Sequence, residues 1–463
     1  MTPTPQTLWA ARAWLPGGWQ DHVLLQTDAQ GRWQRVAPGT PRPDGVAALA
    51  GPVLPGLVNA HSHAFQRAFA GLAERRESAG DDFWSWRDRM YRVAGAVGPA
   101  ALRAIAAQLY GELLRGGYTQ VCEFHYVQHQ PGGAPYPERF AMIQALVDAA
   151  AEVGIGLTLL PVLYERAGFA QPQLRPDQAR FHLDADGAWA AAQAVQAQGH
   201  ARLNAGLAIH SLRAARPESI HRLRTLAEGF AGAVHIHVAE QPAEVRDCLA
   251  ATGPAPGRMA AQQGPLDERW QLVHATHVKP AEIMAVAHSG STAVICPSTE
   301  ANLGDGLTDL PAWLQASVPL AVGSDSHVTR AWREELRWMD YGQRLALKRR
   351  NVSAAPEAGQ PSTATRLWAS ALAGGASAAS AAAWGLQPGA RADLLVVDLG
   401  DASLAGTPPS RLLDTLVFSS PGRPWRDVMV AGDWVVRDHH QRGSAERQGC
   451  PAEVMQALWA DAA

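Results

Sequence analysis

Two histidines two residues apart, His61 and His63 in "VNAHSHAFQR", directly follow a short apolar run, and a second such pair, His235 and His237, sits in "GAVHIHVAE". Imidazoles bind divalent metals and move protons near neutral pH. Seventeen histidines in 463 residues give about 0.6 such pairs by chance, so spacing alone says little. Placement says more. In a strand, residues i and i+2 point to the same side, so His61 and His63 can hold one ion together. With His237, and with Asp325 in "VGSDSH", they make three imidazoles and one carboxylate. That set suits a borderline divalent ion such as zinc, with a position left for water.

Zinc lowers the pKa of its bound water toward about 7, which makes hydroxide available at neutral pH. Hydrolysis at a C–N bond then still needs a proton delivered to the departing nitrogen. Glu240, three residues beyond His237 in "HVAEQ", is near enough to carry it. A glutamate after a strand more commonly serves the N-terminus of the next helix; here the neighbouring ligand favours the catalytic role. His274 in "LVHATH" can bond to the attacked group or to the water and stabilise developing charge. His277, three residues on, reads as structural.

These residues lie far apart in the chain, so the fold must gather them. Eight short apolar segments, each bounded by turn signals and separated by stretches rich in Ala, Leu, Arg and Gln, recur between residues 51 and 330. They are "PGLVNAHSH", "GGYTQVCEFHY", "GIGLTLLPVLYE", "RLNAGLAIHS", "GAVHIHVAE", "RWQLVHATH", "GSTAVICPSTE" and "VPLAVGSDSH". Eight parallel strands close into a (β/α)₈ barrel, whose C-terminal strand ends converge on one mouth. Seven of the eight segments finish in His, Asp, Glu or Tyr, so one site can draw on them all. The fold expected is α/β: a (β/α)₈ TIM barrel over residues 51–385 with a small β-sandwich domain built from residues 1–50 and 386–463, the latter including a terminal helix. Hairpin turns are expected at Ala29, Gln30 and Gly31 and at Gly432 and Asp433. The polar stretch 349–365 reads as a surface loop before an Ala-rich helix.

Composition narrows the function classes. Hydrophobic residues are 47% and charged residues 18% of the chain, with a formal net charge of -3, which argues against a polyanion partner and against disorder. No apolar run reaches the roughly 18 residues of a membrane helix, and the N-terminus lacks the pattern of a secretory signal. Cys122, Cys248, Cys296 and Cys450 form no CxxC pair, so neither a thiolate metal site nor a disulfide framework is indicated, and a reducing cytoplasm suits the chain. Lysine occurs only at Lys279 and Lys348. Binuclear zinc hydrolases of this barrel class commonly bridge two metals through a carboxylated lysine at the end of strand 4. The segment "RLNAGLAIHSLRA" has none, so one zinc per chain is expected rather than two.

The pattern resembles the amidohydrolase superfamily. The motifs "NAHSHAFQRAFAGL", "DDFWSWRDRMY", "CEFHYV", "HIHVAEQ", "LVHATH", "CPSTEANLGDG" and "GSDSHV" together resemble its formimidoylglutamate deiminase branch. That resemblance implies hydrolysis of N-formimidoyl-L-glutamate to N-formyl-L-glutamate and ammonia in histidine degradation, by a homodimer. It implies His61, His63, His237 and Asp325 as zinc ligands, Glu240 as proton shuttle, His274 as electrostatic catalyst and Asp325 as a further proton acceptor. It places substrate contacts at Gln66, Arg87, Tyr126, His210 and Arg213. The residues agree with a substrate bearing two carboxylates, because guanidinium forks match planar anions. One position departs from the pattern: a histidine is expected where Gln128 stands.

Two other readings compete. A related zinc aminohydrolase acting on a nucleobase or triazine ring would use the same metal chemistry, but would want aromatic stacking and amide-edge contacts more than two anion clamps. A non-enzymatic metal-binding barrel explains the ligands but gives no reason for Glu240 and His274 to sit beside them.

Overall fold

The computed structural model describes residues 4–76, 82–257, 260, 264–443 and 450–460. Asp81 of the "DDFWSWRDRMY" motif and the Cys450 side chain lie outside the described set.

Each of the eight apolar segments contains a strand. They are β1 (Leu57–Ser62), β2 (Tyr118–His125), β3 (Gly156–Leu163), β4 (Leu207–Ser211, preceded by the short strand Leu203–Ala205), β5 (Val234–Val238), β6 (Trp270–His274), β7 (Thr292–Ile295) and β8 (Leu320–Val322). All residues of β1, β2 and β3 are buried, as expected of strands covered on both faces. Neighbours pair in parallel from β1 to β8 in sequence order. The barrel closes through a parallel bridge between Ser62 and Asp325, where Asp325 N–H donates to the His61 carbonyl and His63 N–H to the Asp325 carbonyl. The closing seam therefore carries three of the four expected ligands.

Helices between the strands start where the sequence marks them. Proline, whose missing N–H costs nothing in a first turn, opens helices at Pro99, Pro217, Pro242, Pro280 and Pro297. Gly154, in the left-handed conformation, ends the helix Ala141–Val153 and returns the chain to β3.

The chain ends build one further sheet. The strand Thr7–Leu15 pairs with Gly18–Thr27 and with Val53–Leu54, which in turn takes Leu394–Val397 from the C-terminal flank, so the two ends are knitted together. Ala10, Val23, Trp33, Val53, Leu394 and Met429 share its core. The first hairpin turn runs Asp28–Gly31, as expected, with the Asp28 carboxylate accepting from Gln30 and Arg32 N–H. The second falls one residue earlier than expected: Ala431 (φ 51°) and Gly432 (φ 75°) turn the chain, while Asp433 pairs with Val430. Two successive positive φ values are what a two-residue hairpin loop requires. The terminal helix Cys450–Ala460 packs on the helix Pro99–Gly116. Among the described residues no helix is long and apolar enough to cross a membrane, and Cys122, Cys248 and Cys296 are free and buried.

Candidate active site

At the C-terminal mouth, three imidazole nitrogens converge. His61 Nε2 lies 3.1 Å from His63 Nε2 and 2.9 Å from His237 Nε2, and Asp325 Oδ1 lies 3.6 Å and 3.4 Å from the first two. Burial holds all three rings neutral: it drives His63 down to about 3 and His61 and His237 well below the ordinary histidine value. His63 Nδ1 donates to the Phe124 carbonyl at 2.8 Å, which leaves Nε2 as the lone-pair nitrogen. Neutral ring nitrogens turned on one another beside a carboxylate cannot satisfy each other by hydrogen bonds alone. Their donor set fits a divalent cation, with His63 already in the ligating tautomer.

The second pair contributes only half. His235 points to the Ala378 carbonyl, 3.0 Å away, and reads as structural.

The backbone around the ligands is tightly held. Glu123, at the end of β2, accepts from Ser62 Oγ at 2.7 Å and from Ala64 N–H at 2.6 Å, clamping the chain on both sides of His63. His327, held neutral by burial, donates from Nε2 to the His63 carbonyl and accepts at Nδ1 from Ser324 Oγ, so it braces the loop that carries His63. A Cβ at Gly323 would stand 2.6 Å from His61 Cβ, so only glycine fits there without displacing the ligand. His274 (φ 67°) and Asp325 (φ 46°) adopt the left-handed conformation, which costs a non-glycine residue on the order of 1–3 kcal/mol and recurs at functional sites.

Beside the imidazoles, His274 Nε2 is 3.8 Å from both Glu240 Oε1 and Asp325 Oδ2. Its Nδ1 is 3.3 Å from Glu300 Oε1, which also accepts from Cys296 N–H at 2.9 Å. Burial opposes the charged ring, but Glu240, Glu300 and Asp325 outweigh it and push His274 up to about 10. Burial raises Glu240, and Asp325 adds to that. Burial likewise brings Asp325 up to about 6. A charged imidazole between two proton-accepting carboxylates is an arrangement for stabilising negative charge and moving protons.

Gln66, Arg87, Tyr126, His210 and Arg213 all line one cavity with His63, His237, Glu240, His274 and Asp325. Gln66 Nε2 donates to Tyr126 Oη at 3.3 Å, and His210 packs edge-on against Tyr164 at 4.4 Å. The Arg87 guanidinium, on the helix Phe83–Ala96, stacks 4.5 Å from Trp84 of the same helix, and the Arg213 guanidinium, on the loop after β4, lies 6.0 Å from that ring. Arg87 Nε and Arg213 Nη1 are buried without hydrogen-bond partners among the described residues. Arg87 Nη2 also stands 3.7 Å from Asp88 Oδ1, but the unpartnered Nε and Nη1 atoms suit an anion bound in the cavity.

Glu300 and Trp84 join the site without a local signal in the sequence. Glu300 stands in the quoted "CPSTEANLGDG", but nothing local says that its carboxylate reaches back to strand 6. Gln128 is part of the scaffold: its Nε2 donates to the His125 carbonyl at 2.9 Å and its N–H to the Arg180 carbonyl, shaping the loop after β2. His277 bonds the Asp305 carbonyl at 2.8 Å and is likewise structural.

Comparison with known proteins agrees with this geometry. Residues 53–435 match the Amidohydrolase family. The chain is 44% identical over 456 residues to formimidoylglutamate deiminase of Pseudomonas aeruginosa, covering 97% of this chain and 99% of that one. The crystal structure of an amidohydrolase from Brucella melitensis superposes with a TM-score of 0.92 at 36% identity, covering 98% and 99% of the two chains. Atrazine chlorohydrolase of Arthrobacter aurescens, complexed with zinc, shares the fold with a TM-score of 0.82 at 20% identity, covering 97% and 99%.

Proposed function

The chain belongs to the amidohydrolase family, and from that premise we propose that it hydrolyses N-formimidoyl-L-glutamate to N-formyl-L-glutamate and ammonia, as a step of histidine degradation. The observation that carries this reading is that two guanidinium groups, Arg87 from the helix Phe83–Ala96 and Arg213 from the loop after β4, face the same cavity as Glu240 and His274. A dicarboxylate with a short amidine arm matches that pairing.

His61, His63, His237 and Asp325 would hold one zinc ion. Such an ion, when bound, supplies Lewis acidity and brings the pKa of a water toward about 7. Arg87 and Arg213 anchor the two carboxylates, while Gln66, Tyr126 and His210 hold the formimidoyl end in line with the acid–base residues. The departing nitrogen takes up both protons of the attacking water. Glu240 accepts the first on a carboxylate oxygen and hands it to that nitrogen; Asp325 accepts the second as the C=O bond forms and the C–N bond breaks. His274 donates from Nε2 to the negative charge that develops at the attacked carbon's new oxygen. The products are the N-formyl amino acid and ammonia. We place the enzyme in the cytoplasm as a homodimer.

The test is ammonia release from N-formimidoyl-L-glutamate with metal content measured on the same sample. A preference of at least about tenfold over guanine or cytosine is expected, since a ring cannot engage two anion clamps. Equal turnover of all three would defeat the reading. About one zinc per chain is expected; two would show that the missing strand 4 lysine had been misread.

A further inference from the structure

Arg87 and Arg213 line two cavities at once. The inner one, which holds the acid–base residues, is about 50 Å³. The outer one is about 570 Å³ and has the same two arginines in its wall together with Trp84. A water-sized group needs roughly 10–15 Å³ of such space, so the inner cavity holds only a formimidoyl group and its immediate neighbours. The outer cavity is far larger than the remainder of a glutamate. Small residues make part of its wall, Ala167, Gly168 and Ala170 after strand β3 and Ala250 and Ala251 on the helix Pro242–Thr252, with the larger Phe169 and Asp247 among them. Arg175, also in the wall, is engaged by Asp177 and Asp88.

Chain length in the ligand fixes which part enters which cavity. The α-carboxylate carbon lies two bonds from the substituted nitrogen and the side-chain carboxylate carbon four. Arg87 and Arg213 line both cavities and so stand at their junction, and a carboxylate held by either one lies at that boundary. Anything attached beyond it emerges in the outer cavity.

We propose that the outer cavity accepts a further residue joined by an amide bond to one carboxylate, so that the chain deiminates N-formimidoyl-glutamyl peptides as well as the free amino acid. This rests on the deimination proposed above. The chemistry is unchanged: water adds to the amidine carbon, the C–N bond to the terminal nitrogen breaks, ammonia leaves, and the peptide bond is untouched. The amide carbonyl keeps an acceptor facing the guanidinium, and the added residue lies against the outer wall.

Gly168 provides a way to close that space. A Cβ there meets nothing within 4 Å, so Gly168→Trp adds bulk at the outer wall with no clash at its first side-chain atom. The experiment measures ammonia release by the zinc-loaded full chain from N-formimidoyl-L-glutamate and from its α-linked and γ-linked alanine dipeptides, with wild type and Gly168→Trp. At least one dipeptide should be turned over within about 30-fold of the free acid in kcat/KM, and Gly168→Trp should cost that dipeptide at least about tenfold while changing the free acid less than about threefold. If the free acid is hydrolysed and neither dipeptide is, this proposal fails and the proposed function stands; if none of the three is hydrolysed, both fail. Equal losses for dipeptide and free acid in Gly168→Trp, or no loss for either, would also overturn the use of the outer cavity.

Discussion

Glu240 and His274 show how burial and neighbouring charge prepare individual groups. Glu240 is raised by burial, while His274 is held charged by Glu240, Glu300 and Asp325 against the same burial. The pair thus offers a proton acceptor and a donor within 3.8 Å. Glu240→Gln keeps the shape and hydrogen-bonding capacity of the side chain but removes its ability to carry a proton. Turnover should fall by about 10²–10⁴, the usual contribution of a positioned acid–base group, with zinc content unchanged. Full activity in that variant, measured with metal content on the same preparation, would remove Glu240 from the mechanism.

At the scale of elements, the site depends on how β8 closes onto β1. Asn59 and Ser324 exchange hydrogen bonds of 2.7 and 2.9 Å across the seam, and Gly323 brings the two backbones close enough for His61 and Asp325 to meet. In Gly323→Ala, the added methyl meets the His61 backbone and Cβ, which cannot swing aside as a flexible side chain would. Overpacking of this kind costs typically 1–3 kcal/mol. The expected outcome is a lowered melting temperature together with weakened zinc retention in a chelator competition. Unchanged retention would mean that the seam tolerates expansion without moving the ligand.

For the whole molecule, buried carboxylates make stability depend on pH. Glu335, on the helix Trp332–Leu347 after β8, is fully buried and accepts from Ser298 N–H at 3.0 Å and Ser298 Oγ at 2.7 Å, tying the loop after β7 to that helix. Burial pushes its carboxyl up to about 8, against about 4.3 in an unfolded chain. Between those values the folded state holds a proton that the unfolded state has lost. This group's favourable contribution is therefore full below the unfolded pKa and declines as pH rises through the folded one. Glu335→Gln has no such titration. Its stability relative to wild type should rise between pH 5 and 8, by an amount on the order of a few kcal/mol, read as diverging melting temperatures. Parallel melting curves across that range would show that Glu335 is charged in the folded protein.

The sequence by itself determined the eight strands, the histidines at their ends and the chemistry those residues can perform. Buried parallel strands are written as continuous apolar runs, and polar residues at the ends of such runs stand out against them. Val58 and Ala60 before His61, or Leu272 and Val273 before His274, are legible for that reason. Only the tertiary structure decided which polar strand-end residues meet. His235 and His237 have the same local spacing as His61 and His63, yet His235 bonds the distant Ala378 carbonyl while His237 meets His61. Glu300 reaches His274 across 26 positions, and Arg213 reaches the Trp84 that already stacks with Arg87 from a loop 126 positions further on. Local pattern fixes which face a side chain occupies within its own element. Barrel closure and the loops above it set the distances between elements, and those distances decide which side chains meet at the mouth.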